Sequence, residues 1–150
     1  MAIGTDSAIE FFGTQDTITG SGGTVVDGAF GTAATTWTND DDVREATIIL
    51  EVTYIVAADA NSSVNLYVQL LDIQGTNDSQ VPSATFQGVY LGSFPLDSSL
   101  TSAQFPPIDV RLPNTKSSQQ YKFTIENKGG QTVSNTWNLY VGPKTIGPHA

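Results

Sequence analysis

The sequence predicts an all-β protein: an antiparallel β-sandwich of jelly-roll type, with an extended Gly/Thr-rich N-terminal arm. Three observations predict it. Apolar residues recur with a period of two and not with the helical period. The runs that show this are short and end in Gly, Pro, Asn, Asp and Ser, the residues that set turns. No window carries a helical pattern of apolar residues. The chain has 150 residues and no Cys. A domain of this size buries roughly 68–70% of the surface its unfolded chain exposes, so it folds without a disulfide or metal staple.

Residues 1–36 come first and differ from the rest. They hold half of the 14 Gly and no Lys or Arg. "TITGSGGTVVDGAFGTAATT" carries few apolar residues and no alternating run of them, so the segment reads either as weak edge strands or as an arm that orders against a neighbour. "AIEFF" is its best anchor, because Phe11 and Phe12 on a polar arm need a pocket. Residues 37–142 form the sandwich. Within it Ile48, Leu50, Val52, Tyr54 and Val56 point one way from the run 47–56. Val64, Leu66, Val68 and Leu70 do so from 64–70. Ile108, Val110 and Leu112 alternate with Asp109 and Arg111. Tyr121, Phe123 and Ile125 alternate with Lys122 and Thr124, and Trp137, Leu139 and Val141 with Asn138 and Tyr140. Such alternation marks strands buried on one face. "ADANSS", "QGTNDSQVPS" and "ENKGGQT" are the turns between them. Residues 143–150 read as a C-terminal tail, with Pro143 and Pro148 favouring extension over a further strand.

Charge narrows the partners. The formal net charge is −9, which argues against nucleic acid and against anionic membrane, since both attract Lys and Arg. Residues 1–110 carry fourteen of the fifteen acids and one base, and residues 111–150 carry one acid and five bases. Strand interleaving either cancels this asymmetry in space or leaves a dipolar molecule suited to assembly. The N-terminus lacks the basic start and apolar run of a secretory signal. No stretch approaches the ~20 apolar residues of a membrane helix. The expected product is soluble and made in the cytoplasm.

The chemistry-bearing residues do not assemble into a motif. Asp40, Asp41 and Asp42 are adjacent, so in an extended segment they point to opposite faces. They also lack the spacing and Gly of a calcium loop. A solvated turn is the reading adopted over a weak cation site or a catalytic cluster. His149 is the sole His and sits in the tail, where no carboxylate orients it for a nucleophile. Hydrolytic zinc needs more His than the chain has. "GSGG" lacks the Lys and helix of a phosphate loop. The expectation is no enzyme, no cofactor and no metal. Trp137, Tyr121 and Phe123 belong to the core. Tyr67 and Tyr140 fall on outward faces beside Asn65, Gln69 and Asn138. Three readings stay open for them: a sugar-binding face, a protein interface, or a face covered by the N-terminal arm.

The order "VNLYVQLLDIQGTNDSQVPSATFQGVYLGSFPLD" followed by "FPPIDVRLPNTKSSQQYKFTIENKGGQTVSNTWNLYVGPKTIGPHA" resembles small virion structural proteins of tailed bacteriophages, over about residues 45–150. The resemblance implies a sandwich that decorates the outside of a phage head and stabilises it, commonly as a trimer. It implies the major capsid protein or another virion protein as partner, and the virion as final location after synthesis in the host cytoplasm. It transfers no functional residue. The residues expected at an interface are Phe11, Phe12, Tyr67 and Tyr140. The alternatives are a head–tail or tail protein of the same fold and, from another class, a carbohydrate-binding module, which needs Tyr67 and Tyr140 exposed on one face.

Overall fold

The computed structural model describes residues 8–73, 77–86 and 88–148. Among these residues there is no helix. The strands are β1 (Ala8–Phe12), β2 (Asp16–Thr19), β3 (Phe30–Thr32), β4 (Trp37–Thr38), β5 (Glu45–Tyr54), β6 (Ser62–Leu71), β7 (Val89–Leu96), β8 (Ser102–Gln104), β9 (Ile108–Arg111), β10 (Gln120–Lys128) and β11 (Val133–Pro148). The first sheet runs β1-β11-β5-β8, with β2 also on β11 and β9 also on β5. The second runs β3-β10-β6-β7, with β4 also on β10. Every pairing is antiparallel. When β1/β2, β3/β4 and β8/β9 are each taken as one interrupted strand, the pairings nest. The first strand meets the last, the second the next to last, and β6 meets β7 at the centre. A long hairpin rolled over itself gives this order, which is the jelly roll.

The alternating residues fill the space between the sheets. Ile48, Leu50, Leu66, Val68, Tyr121, Phe123, Ile125, Leu139 and Val141 are completely buried, each large side chain contributing roughly 1.5–3 kcal/mol over its exposed state. Trp137 lies at the same interface, and its ring covers Gly20 so closely that a Cβ there would sit 2.2 Å from the indole Nε1. The run beginning at 47 ends earlier than its alternation suggests. Ile55 and Val56 leave the strand and are 60% and 59% exposed.

The N-terminal segment supplies edge strands to both sheets. β1 and β2 line one edge of β11, and β3 and β4 line one edge of β10. Residues 143–148, expected to form a tail, continue β11, and 144–148 pair with β1. Pro143 is accommodated because it faces the break between β1 and β2, where its carbonyl accepts from the Gly13 amide at 2.7 Å and no donor is required of it. β7 was not legible as a strand, because Gly92 and Pro95 interrupt its pattern. It is an edge strand, where Pro is tolerated. Strand pairing also disperses the charge asymmetry of the sequence: Arg111 and Lys144 both lie opposite Glu45.

Candidate functional site

Three surfaces of the sandwich carry groups able to bind something. The first is the end formed by loops 20–29, 55–61, 97–101 and 129–132. These loops are laced together by backbone hydrogen bonds, Ile55 to Thr132 (2.9 Å), Ala58 to Leu100 (2.9 Å), Asp59 to Gly129 (2.8 Å) and Gly28 to Asn127 (2.7 Å). The fully buried Asn127 knots them further. Its Nδ2 donates to the carbonyls of Val25 and Gln131 at 2.8 and 2.7 Å, and its Oδ1 accepts from the Gly129 amide at 2.9 Å. On this rigid base Val26, Ile55, Val56 and Leu100 present aliphatic side chains to solvent.

The opposite end holds the three aspartates. All are exposed. Asp42 has a backbone φ of 52°, a left-handed conformation that Asp tolerates. Its carboxylate accepts from Ser117 Oγ at 2.5 Å and from the Ser118 amide at 2.6 Å. Those two bonds, the Ser117 bond foremost, hold its pKa below the usual carboxylate range. Asn39 closes the same loop by bonding both the amide and the carbonyl of Val43. The acidic stretch thus ties loop 39–44 to loop 112–119. No group of three or more acidic or imidazole side chains among the described residues is placed to hold a metal ion. Beside it lies a cleft of about 700 Å³ bordered by Phe12, Asp41, Arg44, Glu45 and Lys144. Lys144 is buried and reaches Asp109 at 3.0 Å. Asp109 also accepts from Thr47 Oγ1 at 2.7 Å, and these contacts, that from Thr47 first, lower its pKa.

The third surface is the outer face of the second sheet. Phe30, Tyr67 and Tyr90 form an aromatic row across it, with ring centroids 5.8 Å and 5.5 Å apart in succession. Beside the row Glu126, only 5% exposed, accepts from the Tyr67 hydroxyl and from Asn65 Nδ2, both at 2.9 Å, and pairs with Lys128 Nζ at 3.1 Å. Burial pushes the Glu126 carboxyl up, but hydrogen bonds from Asn65, Lys128 and Tyr67, together with the Lys128 charge, outweigh it and leave the pKa lowered. Burial first, and the bond to Glu126 second, push the Tyr67 phenol up to about 12. Thr124 lies opposite Tyr67 in the register, is fully buried, and its Oγ1 finds no partner.

The residues expected at an interface do not converge. Phe11 lies in β1, but its side chain is outside the described residues, as is His149. Phe12 occupies no pocket of the sandwich; it is 68% exposed at the rim of the cleft. Tyr67 faces outward as its alternation requires, but Phe30 and Tyr90 cover it and it is 3% exposed. Tyr140 is half-buried on the outer face of the first sheet, opposite Ile49 and Thr17. Tyr67 and Tyr140 thus lie on opposite outer faces, which corrects the single flat face that would have joined them. The two residues that complete the aromatic row, Phe30 and Tyr90, were not singled out by sequence. The alternation of Tyr90 is broken by a bulge opposite Leu66 and Tyr67, and Phe30 stands in the Gly-rich segment.

Fold and surfaces together define an all-β jelly-roll module. No family model matches the sequence, and no curated protein matches it. Among solved structures the chain is similar to the CBM35 from Cellvibrio japonicus Abf62, at 14% identity and a TM-score of 0.40, over 96% of this chain and 99% of that one. It is similar to the Desmodium yellow mottle tymovirus structure at 13% identity and 0.36, over 100% and 93%. It is similar to the infectious bursal disease virus VP2 subviral particle at 15% identity and 0.32, over 95% and 36%. These are a carbohydrate-binding module and two viral proteins. At such identities and scores the likeness assigns neither family nor function.

Proposed function

We propose that this chain is a non-catalytic virion structural protein of the capsid-decoration kind. It binds the outside of a phage head beside the major capsid protein, as a homo-oligomer with three copies favoured, and takes no cofactor, nucleic acid or membrane as partner. The observation that supports this reading best is the aliphatic end of the sandwich. Val26, Ile55, Val56 and Leu100 stand exposed on loops fastened to one another by backbone bonds and by Asn127. Exposed aliphatic side chains on a preorganised surface suit a dry protein contact, because no loop ordering has to accompany binding. On a symmetric lattice, weak contacts of this kind add through multivalency. The resemblance of residues 45–150 to small phage virion proteins points the same way.

The test is cosedimentation of the purified chain with expanded phage shells, alongside its native mass by light scattering. Binding to shells, lost in Ile55→Asp/Val56→Asp while the far-ultraviolet spectrum is kept, supports the proposal. Absence of the protein from purified particles of its source sinks it.

A further inference from the structure

We propose that the outer face of the second sheet is a binding site for a neutral glycan. The proposal does not depend on the virion reading. It starts from the aromatic row. Tyr67 at its centre is sandwiched between Phe30 and Tyr90, so its ring is fixed. Tyr90 at the end of the row is 55% exposed and stands edge-on to Tyr67, the interplanar angle being 62°. An exposed ring held by its neighbours loses little side-chain entropy when something stacks on it. A pyranose offers the matching surface, a flat patch of C–H groups rimmed by hydroxyls.

The groups beside the row meet those hydroxyls. Asn65 Nδ2 donates to Glu126, and its Oδ1 is left to accept from a ligand hydroxyl. Lys128 Nζ is held on Glu126 Oε1, while its side chain is half exposed, so ammonium hydrogens remain for a ligand. Glu126 orders all three donors, because Tyr67, Asn65 and Lys128 converge on one buried carboxylate. Such preorganisation distinguishes a binding site from scattered surface residues.

Charge selects the class of ligand. Glu126 and Lys128 cancel each other within the site. The chain as a whole carries −9, which repels uronic or sialic acids. The site therefore suits an uncharged sugar polymer, stacked on Tyr90 and hydrogen-bonded toward Asn65 and Lys128.

The experiment is a nuclear magnetic resonance titration of the whole chain with short neutral oligosaccharides of glucose, galactose, mannose and xylose, each taken to tens of millimolar, with oligogalacturonate in parallel. Saturable shifts at Tyr90, Asn65 and Lys128 with at least one neutral sugar are expected. Tyr90→Ala should weaken that binding at least tenfold while leaving the fold intact, since the ring is at the surface. Tyr140→Ala, on the opposite sheet, should leave it unchanged. No saturable shift with any neutral sugar overturns the proposal. So does binding that survives Tyr90→Ala, or preference for the acidic oligosaccharide. A native mass that falls in Tyr90→Ala also overturns it, by assigning the face to a second copy of the chain. Shell binding is scored separately through Ile55 and Val56, at the end of the sandwich, so failure of either reading leaves the other measurable.

Discussion

Replacing Asn127 with Ala tests whether the aliphatic end is a fixed platform. The side chain is fully buried and makes three hydrogen bonds, two given by Nδ2 and one received by Oδ1. In Asn127→Ala the Val25 carbonyl keeps its bond from the Val133 amide at 3.0 Å. The Gln131 carbonyl and the Gly129 amide lose the Asn127 partner. A typical net hydrogen bond is worth about 1 kcal/mol, and a buried group left unpaired costs about 1–3 kcal/mol, so the loss comes to roughly 2–4 kcal/mol. For a domain of this size each kcal/mol moves Tm by about 2–4 °C, so Tm should fall by about 5–15 °C. Thermal unfolding followed by circular dichroism reads this directly. Asn127→Asp sharpens the test. The carboxylate would face two carbonyl oxygens, so the folded state raises its pKa above the unfolded value. The penalty is then present at neutral pH and shrinks as pH falls through the raised pKa. Asp should be worse than Ala at pH 7 and should recover in acid. A Tm change in Asn127→Ala under about 2 °C, or an Asp variant no worse than Ala at neutral pH, would refute the knot.

Three further outcomes are expected. Tyr67→Phe removes a donor to a buried carboxylate and should cost roughly 1.5–3 kcal/mol; the Glu126 carboxyl should then titrate at higher pH by nuclear magnetic resonance, and an unmoved titration would disconnect the two residues. Glu126 has a lowered folded pKa, so its contribution is present above the ordinary carboxylate pKa and is lost as pH falls through the lowered value. The stability of Glu126→Gln should therefore differ from that of the parent at neutral pH and converge with it in acid, whereas parallel curves would contradict the assignment. Gly20→Ala places a Cβ 2.2 Å from the Trp137 indole and should cost roughly 1–3 kcal/mol through overpacking, with a shift in tryptophan fluorescence; an unaltered spectrum and stability would show that the ring has room.

The strands that build the core were legible because one face of each is buried and the period of two follows directly from that. The alternate residues from Ile48 to Tyr54, from Val64 to Leu70 and from Tyr121 to Ile125 point inward as the period requires. Less legible were the elements held in place by distant partners. β3 and β4 carry few apolar residues and owe their place to pairing with β10, some ninety residues later. Pro143 looked like a strand terminator because a sequence does not show that its partner strand is interrupted at that point. The outer-face cluster was half legible. Its alternation set Tyr67 outward beside Asn65, but the cover from Phe30 and Tyr90 arises only when three strands come together. Glu126 stands where the alternation of Tyr121, Phe123 and Ile125 sets a side chain outward. Its burial depends on what surrounds it and leaves no local signature.

β11 is the spine of the first sheet, with β1 and β2 on one side and β5 on the other. Among the described strands it also comes last in chain order. Until it leaves the ribosome, β2 lacks the strand it pairs with, and the edge of β5 that β11 will cover stays open. Pairings across this much of the chain form slowly, since the loop entropy is lost before the contacts return it. A chain that stops before Val133 cannot close the sheet and exposes bare strand edges, the species most prone to aggregate. Folding of this sandwich therefore also checks length, because only a chain translated through β11 can present its binding surfaces in order.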